Sequence, residues 1–141
     1  MKIVRVEAST HNVPVPVPLM DEPVMRPLVF CAVETDDGIT GYGISGPIQR
    51  HAVRELINRE IAPRVIGADP FETERIWQDL YIELNPRAQT GAWSSAVSAL
   101  DIALWDIKGK ALGQPVWRLL GGAQNPTPAY ITFGLPEYSV E

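Results

Sequence analysis

The stretch from Gly91 to Gly122 constrains the fold more than any other part of the sequence. Its large apolar side chains recur at alternating spacings of four and three, which places them on one helical stripe. These residues are Trp93, Val97, Leu100, Leu104, Ile107 and Ala111. A second stripe has only small side chains, which allows another backbone to approach closely; it consists of Ala92, Ala96, Ala99 and Ala103. Ile102 and Trp105 add a third apolar edge, so we expect this helix to lie between other layers of the protein.

The end of this helix is also marked in the sequence. Lys108 and Lys110 suit the negative end of a helix dipole. Gly113 suits the left-handed position just after a helix, and Pro115 prevents its continuation. Each large aliphatic side chain that is fully buried contributes roughly 1.5–3 kcal/mol. We therefore expect the helix to anchor the core.

Length, charge and cysteine content exclude several classes of protein. A chain of 141 residues has the length of one domain. The net charge of −5 argues against nucleic acids and anionic membranes as partners. No stretch reaches the roughly 18 apolar residues of a membrane helix, and the first residues lack the apolar block that is typical of a signal peptide. Cys31 is the only cysteine and lies in an apolar run, so we expect a buried thiol in a cytoplasmic protein.

The first third of the chain predicts three antiparallel strands. Residues 2–8 alternate between apolar and polar side chains, and residues 28–35 and 39–45 are rich in β-forming residues. Asp36-Asp37-Gly38 supplies the signal of a tight hairpin between the last two strands. Gly41 and Gly43 mark places in the third strand where another backbone can come close. We predict a three-stranded antiparallel meander within residues 1–45.

Residues 11–27 interrupt this pattern with five prolines. Proline lacks an amide donor, so we predict an extended loop outside the hydrogen-bonded ladder. The same stretch is unusually apolar for a loop in water, and long loops of this kind often have a function. We expect it to cover another part of the protein.

Helices follow the strands. Gly46-Pro47 begins a helix that Pro63 ends, and Asp69-Pro70 begins a second that ends before Asn85-Pro86. Thr90 is the expected N-cap of the long helix described first. Strands followed by helices indicate the α+β class, with helices spanning residues 47–120.

The sequence pattern changes after Gly121-Gly122. Residues 127–133 resemble another strand without a partner in the meander, and the chain stops at an apparent helix start near Glu141. We therefore expect the sequence to be a fragment of a longer protein.

The long helix also contains a family signature. Its residues 96–110 read AVSALDIALWDIKGK, followed by Pro115-Val116 and Leu119-Leu120-Gly121. This pattern resembles the N-terminal domain of the enolase superfamily, in its mandelate racemase and muconate lactonizing branch. The resemblance implies a capping domain at residues 1–122 (an α+β meander followed by a helical bundle). It also implies that residues 123–141 are a linker and the first strand of a (β/α) barrel, whose remainder is absent.

The same resemblance implies the chemistry of the parent enzyme. Enolase-superfamily enzymes remove a proton α to a carboxylate with a Lys or His base, and Mg²⁺ stabilises the enediolate that forms. The family's base and metal ligands lie in the barrel, so we expect no catalytic or metal-binding residue in this chain and no activity from it alone. The implied partners are its own barrel, a small carboxylate substrate and other copies in a homo-oligomer. The implied activity is that of a racemase or an acid-sugar dehydratase, and Arg26 and Thr132 favour hydroxy-acid or sugar-acid dehydration over muconate cycloisomerisation.

In the family, two loops of the cap close over the barrel mouth. By position these are His11 to Arg26 and Ile44 to Gln49, and Thr132 would end the first barrel strand. The candidate substrate-binding residues are Leu19, Met20, Met25, Arg26, Ile44, Ser45 and Thr132. The alternative is that the loops pack against this domain or a partner. A stand-alone binding module remains the competing functional class.

Other titratable residues are weaker candidates. Asp101 and Asp106 are five residues apart and diverge by about 140° on a helix, which argues against a shared metal. Asp106 and Lys110 form an i,i+4 pair, so structural roles are expected for both carboxylates. His11 and His51 have no further ligand at metal-binding spacing, and we expect both on the surface, His11 in a loop and His51 on a helix.

Overall fold

The computed structural model describes residues 1–84, 91–122 and 128–130. Three antiparallel strands come first, in the order in which they occur in the chain: β1 (Ile3–Val15), β2 (Val24–Thr35) and β3 (Thr40–Ser45). The helices that follow are α1 (Arg50–Leu56), a π-helical turn (Ile57–Ile61), α2 (Ala62–Val65), α3 (Thr73–Leu84), α4 (Ala92–Leu112) and α5 (Val116–Leu119). This arrangement confirms the predicted α+β class and the meander.

The helices cover one face of the sheet. Side chains at every second position of β2 are fully buried beneath them: Val29, Cys31 and Val33. Cys31 is thus a core thiol, as predicted, and burial raises its pKa to about 12. The other face of β2 is only partly buried, so the sheet has one packed and one open side.

Helix α4 is the central element of this core. Val97, Leu100, Leu104 and Ile107 of the predicted stripe are at most 3% exposed. Ala111 is exposed, so the prediction that the stripe continues to this residue is wrong. The helix ends before Gly113, whose φ of 61° is the left-handed conformation that glycine adopts without steric cost. The stripe is therefore buried over the first four turns, and the last turn reaches solvent.

The small residues of α4 lie directly against β3. A Cβ atom on Gly43 would stand 1.9 Å from the carbonyl oxygen of Ala99, and one on Gly41 would stand 2.1 Å from that of Ala103. No side chain fits at either strand position, because the two backbones are already in contact. The predicted close approach is confirmed, and its partner is β3.

The outer edge of β3 is closed by a pair of charges from α4. Asp106 Oδ2 accepts a hydrogen bond of 2.9 Å from the amide N–H of Tyr42. Lys110 Nζ donates to the same carboxylate oxygen over 2.6 Å and to the carbonyl oxygen of Thr40 over 2.7 Å. The i,i+4 pair predicted from the sequence therefore satisfies backbone groups that an edge strand would otherwise leave open.

The proline-rich segment is not a loop throughout. β1 and β2 pair continuously from Arg5 to Val15, and only residues 16–23 lie outside the ladder. The prediction of an unpaired loop over residues 11–27 is therefore wrong, and so is the placement of His11 in it. Proline excludes a ladder hydrogen bond only at every second strand position.

Pro14 and Pro27 occupy the tolerated positions. The amide N–H of Ala8 donates to Asn58 Oδ1 on the side of β1 away from β2. Pro14 has the same phase in the strand as Ala8, so its missing amide faces away from β2 as well. Pro27 lies opposite Asn12, which also shares that phase. Neither proline removes a bond between the two strands.

The open edge of β1 is partly covered by the π-helical turn. Asn58 accepts from the Ala8 amide over 2.7 Å and donates to the Ala8 carbonyl oxygen over 2.9 Å. Closer to the N-terminus, Ile3 exchanges two backbone hydrogen bonds with Gly67 and Ala68. Asn58 thus imitates one residue of a neighbouring strand.

Three predicted helix starts differ from the structure. α1 begins at Arg50 rather than near Pro47, after Gln49 adopts a left-handed φ of 56°. The N-cap residue of α4 is Gly91, not Thr90, and it has no side-chain cap. Asp69 does accept a hydrogen bond from the amide of Phe71, although α3 itself begins at Thr73. The predicted strand over residues 127–133 and the helix start near Glu141 lie largely outside the described residues.

Candidate functional site

Three segments lie towards the same end of the sheet, which we call the loop end: residues 16–23, residues 44–49 and Gly91. Ser45, the last residue of β3, pairs with Val29, and the β1–β2 hairpin continues from there past β3. Because α4 contacts β3 through Ala103 and then Ala99 as β3 runs from Gly41 to Gly43, the N-terminus of α4 points the same way. The fold therefore places segments that are distant in sequence at the same end of the sheet.

The tip of the hairpin is apolar and exposed. Leu19 is 85% exposed and adopts a left-handed φ of 67°, which is unusual for a residue with a branched side chain. Met20 is half-buried, and its amide donates to the carbonyl oxygen of Val17, which closes a turn at the tip. Val17 is 8% exposed and is the buried side chain of the segment. The tip thus holds Leu19 away from the rest of the domain.

The remaining described candidates lie on the strands next to this tip. Met25 and Arg26 belong to the first residues of β2, and Ile44 and Ser45 end β3. Arg26 precedes Val29, the partner of Ser45, by three residues, or about 10 Å along the strand. The alternation of β-strands places Met25 and Ser45 towards the helical side and Arg26 and Ile44 on the open face. The six candidates therefore lie towards one end of the sheet, two of them in the turn and the other four divided between the two faces.

A wide cleft of about 500 Å³ lies beside the β3–α1 connection, and sequence reasoning missed it. It is lined by Pro47, Gln49, Arg50, His51, Ala52, Gly91 and Ala92. These residues bring the start of α1 and the start of α4 together. The only sequence signal was the helix start after Gly46-Pro47, which does not reveal that a second helix begins alongside.

The described residues do not form a metal site. Within residues 1–84, 91–122 and 128–130, no group of three or more His, Cys, Asp or Glu side chains is placed to hold an ion. Asp106 is engaged with Tyr42 and Lys110, and Asp101 lies half-buried on another side of α4. His11 and His51 are both exposed, as predicted. Thr132 lies outside the described residues.

Comparison with known proteins decides the family. Residues 2–121 match the family described as mandelate racemase / muconate lactonizing enzyme, N-terminal domain. The chain belongs to this family. A racemase structure from Streptomyces coelicolor A3(2), solved with bound magnesium, has a TM-score of 0.74 and 33% identity, over 86% of this chain and 36% of that one. The fold, the signature and the match agree that this is an enolase-superfamily N-terminal domain.

Two curated relatives are longer proteins, and this chain matches only part of each. The 3,6-anhydro-alpha-L-galactonate cycloisomerase of Streptomyces coelicolor is 33% identical over 134 residues, covering 91% of this chain. The D-galactonate dehydratase of Xanthomonas axonopodis pv. citri is 47% identical over 95 residues, covering 67% of this chain. The matches cover only 37% and 24% of those proteins. This mandelate racemase / muconate lactonizing N-terminal domain therefore corresponds to a minor part of each relative.

No helix in the described part of the N-terminal domain has both the length and the apolar character that crossing a membrane requires.

Proposed function

We propose that this chain is the capping domain of a longer, Mg²⁺-dependent enzyme that removes the proton α to the carboxylate of a sugar acid. The match of residues 2–121 to the family supports the domain assignment, and the D-galactonate dehydratase relative supports the class of substrate. The magnesium of the related racemase structure supports the metal. In this proposal the metal ligands and the base belong to the barrel, as the resemblance to the family implies.

The cap's contribution in this proposal is substrate selection at the loop end. The observation that carries it is the exposed hairpin tip, where Leu19 is held 85% exposed in a left-handed conformation. A left-handed backbone conformation is costly for a residue such as leucine, and such strained residues are common at functional sites. Loops that close over active sites are one place where they occur. Leu19, Met20 and Met25 would form the apolar wall, while Arg26 and Ser45 would offer polar groups to the substrate. Thr132 would add a hydroxyl from the barrel side.

The experiment compares the 141-residue chain with the enzyme encoded by the longer reading frame. Acid sugars, D-galactonate first, are incubated with Mg²⁺ in D₂O, and deuterium at the α-carbon and the dehydrated product are measured by mass spectrometry. We expect exchange and product with the longer enzyme, loss of both with EDTA, and neither with residues 1–141. Turnover by the 141-residue chain alone would contradict the assignment.

Substitutions at the loop end test its part in selection. Leu19→Ser and Ile44→Ser should raise KM severalfold and change the ratio of kcat/KM between two sugar acids. Leu112→Ser is the matched control, because Leu112 is 53% exposed at the C-terminal end of α4, opposite the loop end. Equal effects from all three substitutions would refute a specific role.

Cycloisomerisation is the second candidate reaction. It is favoured by the cycloisomerase relative, which matches 91% of this chain rather than 67%. Offering 3,6-anhydro-L-galactonate and D-galactonate to the same enzyme separates the two reactions. Ring opening of the anhydro sugar without dehydration of D-galactonate would establish the second.

A further inference from the structure

An aromatic cleft of about 500 Å³ separates α3 from α4, away from the sheet. Its walls are Trp77 and Tyr81 from α3 and Trp93 from α4. The Trp77 and Tyr81 rings stack at 5.3 Å between centroids, and Trp93 stands nearly perpendicular to both, at 6.1 and 5.9 Å. Val97 and Asp101 follow Trp93 at four-residue steps on the same ridge of α4, so the carboxylate lies about 12 Å along the helix from Trp93.

Two polar groups at this cleft have no partner within the described residues. The indole N–H of Trp93 is buried and donates to no acceptor there. The carboxylate of Asp101 receives no hydrogen bond in the described structure, and its pKa is raised, first by loss of hydration and then by the nearby charge of Glu74. Leaving a buried donor without an acceptor is costly, so an acceptor from outside the domain would stabilise the assembly.

Lys108 is the cation whose charge acts on Asp101, but its ammonium group is engaged elsewhere. Its ammonium donates to Thr73 Oγ1 over 2.9 Å and lies 4.5 Å from the centre of the Trp105 ring. The charge of Lys108 lowers the pKa of Asp101 only in part, since the net shift is upward. Asp101 therefore keeps an unmatched negative charge beside aromatic rings.

Two other exposed aromatic rings, those of Tyr42 and Trp117, already have a cation from the chain itself. Lys110 lies 4.7 Å from the centre of the Tyr42 ring, and Arg118 lies 5.3 Å from that of Trp117. Over the described residues, no Lys or Arg lies over Trp77 or Trp93. Trp77 is nevertheless 44% exposed, so its ring is open to a group from outside.

We propose that the α3–α4 cleft receives an arginine side chain from the barrel domain of the parent enzyme. A guanidinium stacks on an indole face and also pairs with a carboxylate through two parallel hydrogen bonds, which an ammonium cannot do. The backbone carbonyl of the same segment supplies the acceptor for the indole of Trp93. A barrel in the same polypeptide is present at a high effective concentration, which favours it over a separate copy. This source of the arginine rests on the function proposed above, whereas the chemistry of the cleft does not.

The test uses the 141-residue chain and a small probe, N-acetyl-arginine methylamide, with the citrulline and lysine analogues as comparison. Indole N–H signals are followed by NMR, because two tryptophans border the cleft and two, Trp105 and Trp117, already have cations and serve as internal controls. We expect the Trp77 and Trp93 signals to shift with saturation and the control signals to stay in place. The neutral citrulline analogue should bind roughly tenfold more weakly, since it lacks the charge.

Asp101→Asn should remove the preference for arginine over citrulline, and Asp21→Asn, the same change on an exposed loop residue, should not. Shifts of equal size with citrulline, a preference that survives in Asp101→Asn, or no saturable shift at all would overturn the proposal. Arg87 is the one arginine in the sequence between α3 and α4. A shift that appears only in the Arg87→Gln variant would also overturn the proposal, because a cation of this chain would then compete for the cleft. A dimer by light scattering that Asp101→Asn dissociates would identify a second copy as the partner and refute the barrel as the source. None of these outcomes depends on turnover, so failure here is distinct from failure of the proposed reaction.

Discussion

Gly43→Ala should destabilise this domain more than any other single-methyl addition that we consider. The new Cβ would stand 1.9 Å from the carbonyl oxygen of Ala99 and 3.0 Å from the amide nitrogen of Ala103. Relief requires β3 and α4 to separate by more than about 1 Å, because real contacts of this kind rarely fall below roughly 3 Å. Both neighbours are backbone atoms of a buried helix, so neither can turn aside.

The expected cost follows from the extent of this contact. Overpacking a core costs about 1–3 kcal/mol when side chains can adjust. Here the backbones must move, and the adjacent contact between Gly41 and Ala103 would open with them. We expect a loss of at least about 3 kcal/mol in the free energy of unfolding, which lowers Tm by roughly 10 °C for a chain of this length.

Gly46→Ala is the matched control, one residue after the same strand. No atom lies within 4 Å of a Cβ at Gly46, and its backbone is not left-handed. Its substitution should change the free energy of unfolding by no more than about 0.5 kcal/mol. Urea denaturation of both variants, followed by circular dichroism, measures the difference. A Gly43→Ala variant within about 0.5 kcal/mol of Gly46→Ala would refute direct backbone contact between β3 and α4.

Three further predictions concern hydrogen bonds and a buried thiol. Asn58→Ala should lower the free energy of unfolding by roughly 1–3 kcal/mol in urea denaturation, because both backbone groups of Ala8 lose their partner; a loss below 0.5 kcal/mol would contradict this. Asp106→Asn should cost about 1 kcal/mol or less, and Asp106→Ala more, since the amide oxygen can still accept from the Tyr42 N–H; equal losses would show that this bond contributes nothing. Burial raises the pKa of Cys31 from 9.0 to about 12. Between these two values the unfolded chain binds fewer protons than the folded chain, so the free energy of unfolding falls as the pH rises. The fall is at most about 1.4 kcal/mol per pH unit. Cys31→Ala should remove this part of the alkaline slope, measured by urea denaturation between pH 8 and 11, and an unchanged slope would contradict the assigned burial.

The sequence predicts α4 and its packing because helical periodicity and residue size are local properties. Trp93 to Ile107 can be assigned to one stripe without knowledge of any partner. The small residues predict a close backbone, and Gly41 and Gly43 predict where a strand can meet one, although only the structure pairs the two sets. The family signature adds the order of the elements.

The strands of the meander were predicted, but the length of the paired β1–β2 hairpin could not be predicted by the same means. Five prolines outweigh the β-forming residues between them when each proline is counted as a break. The outcome depends on the phase of Pro14 and Pro27 relative to the ladder, and that phase is set by pairing across the strands. A single sequence does not reveal the register between β1 and β2. It therefore predicts two separate loops and not their position at one end of the sheet.

The candidate site was predicted in part for a related reason. The residues of the hairpin tip and the end of β3 could be named, because their position in the chain follows the family pattern. The cleft at Arg50 and Gly91 and the aromatic cleft between α3 and α4 join residues far apart in sequence. Their chemistry depends on packing, which periodicity describes only one helix at a time.

The contact between β3 and α4 has a consequence for how such a domain can diversify. The residues at Ser45 are attached to a strand that cannot shift without disturbing the core, so their backbone is inherited with the fold. The β1–β2 hairpin extends past this contact and has only eight residues outside its ladder. Insertions, deletions and side-chain changes at its tip leave the buried layers intact. In the proposed enzyme, the substrate range can therefore evolve at the hairpin tip, while the connection after β3 keeps a constant backbone shape.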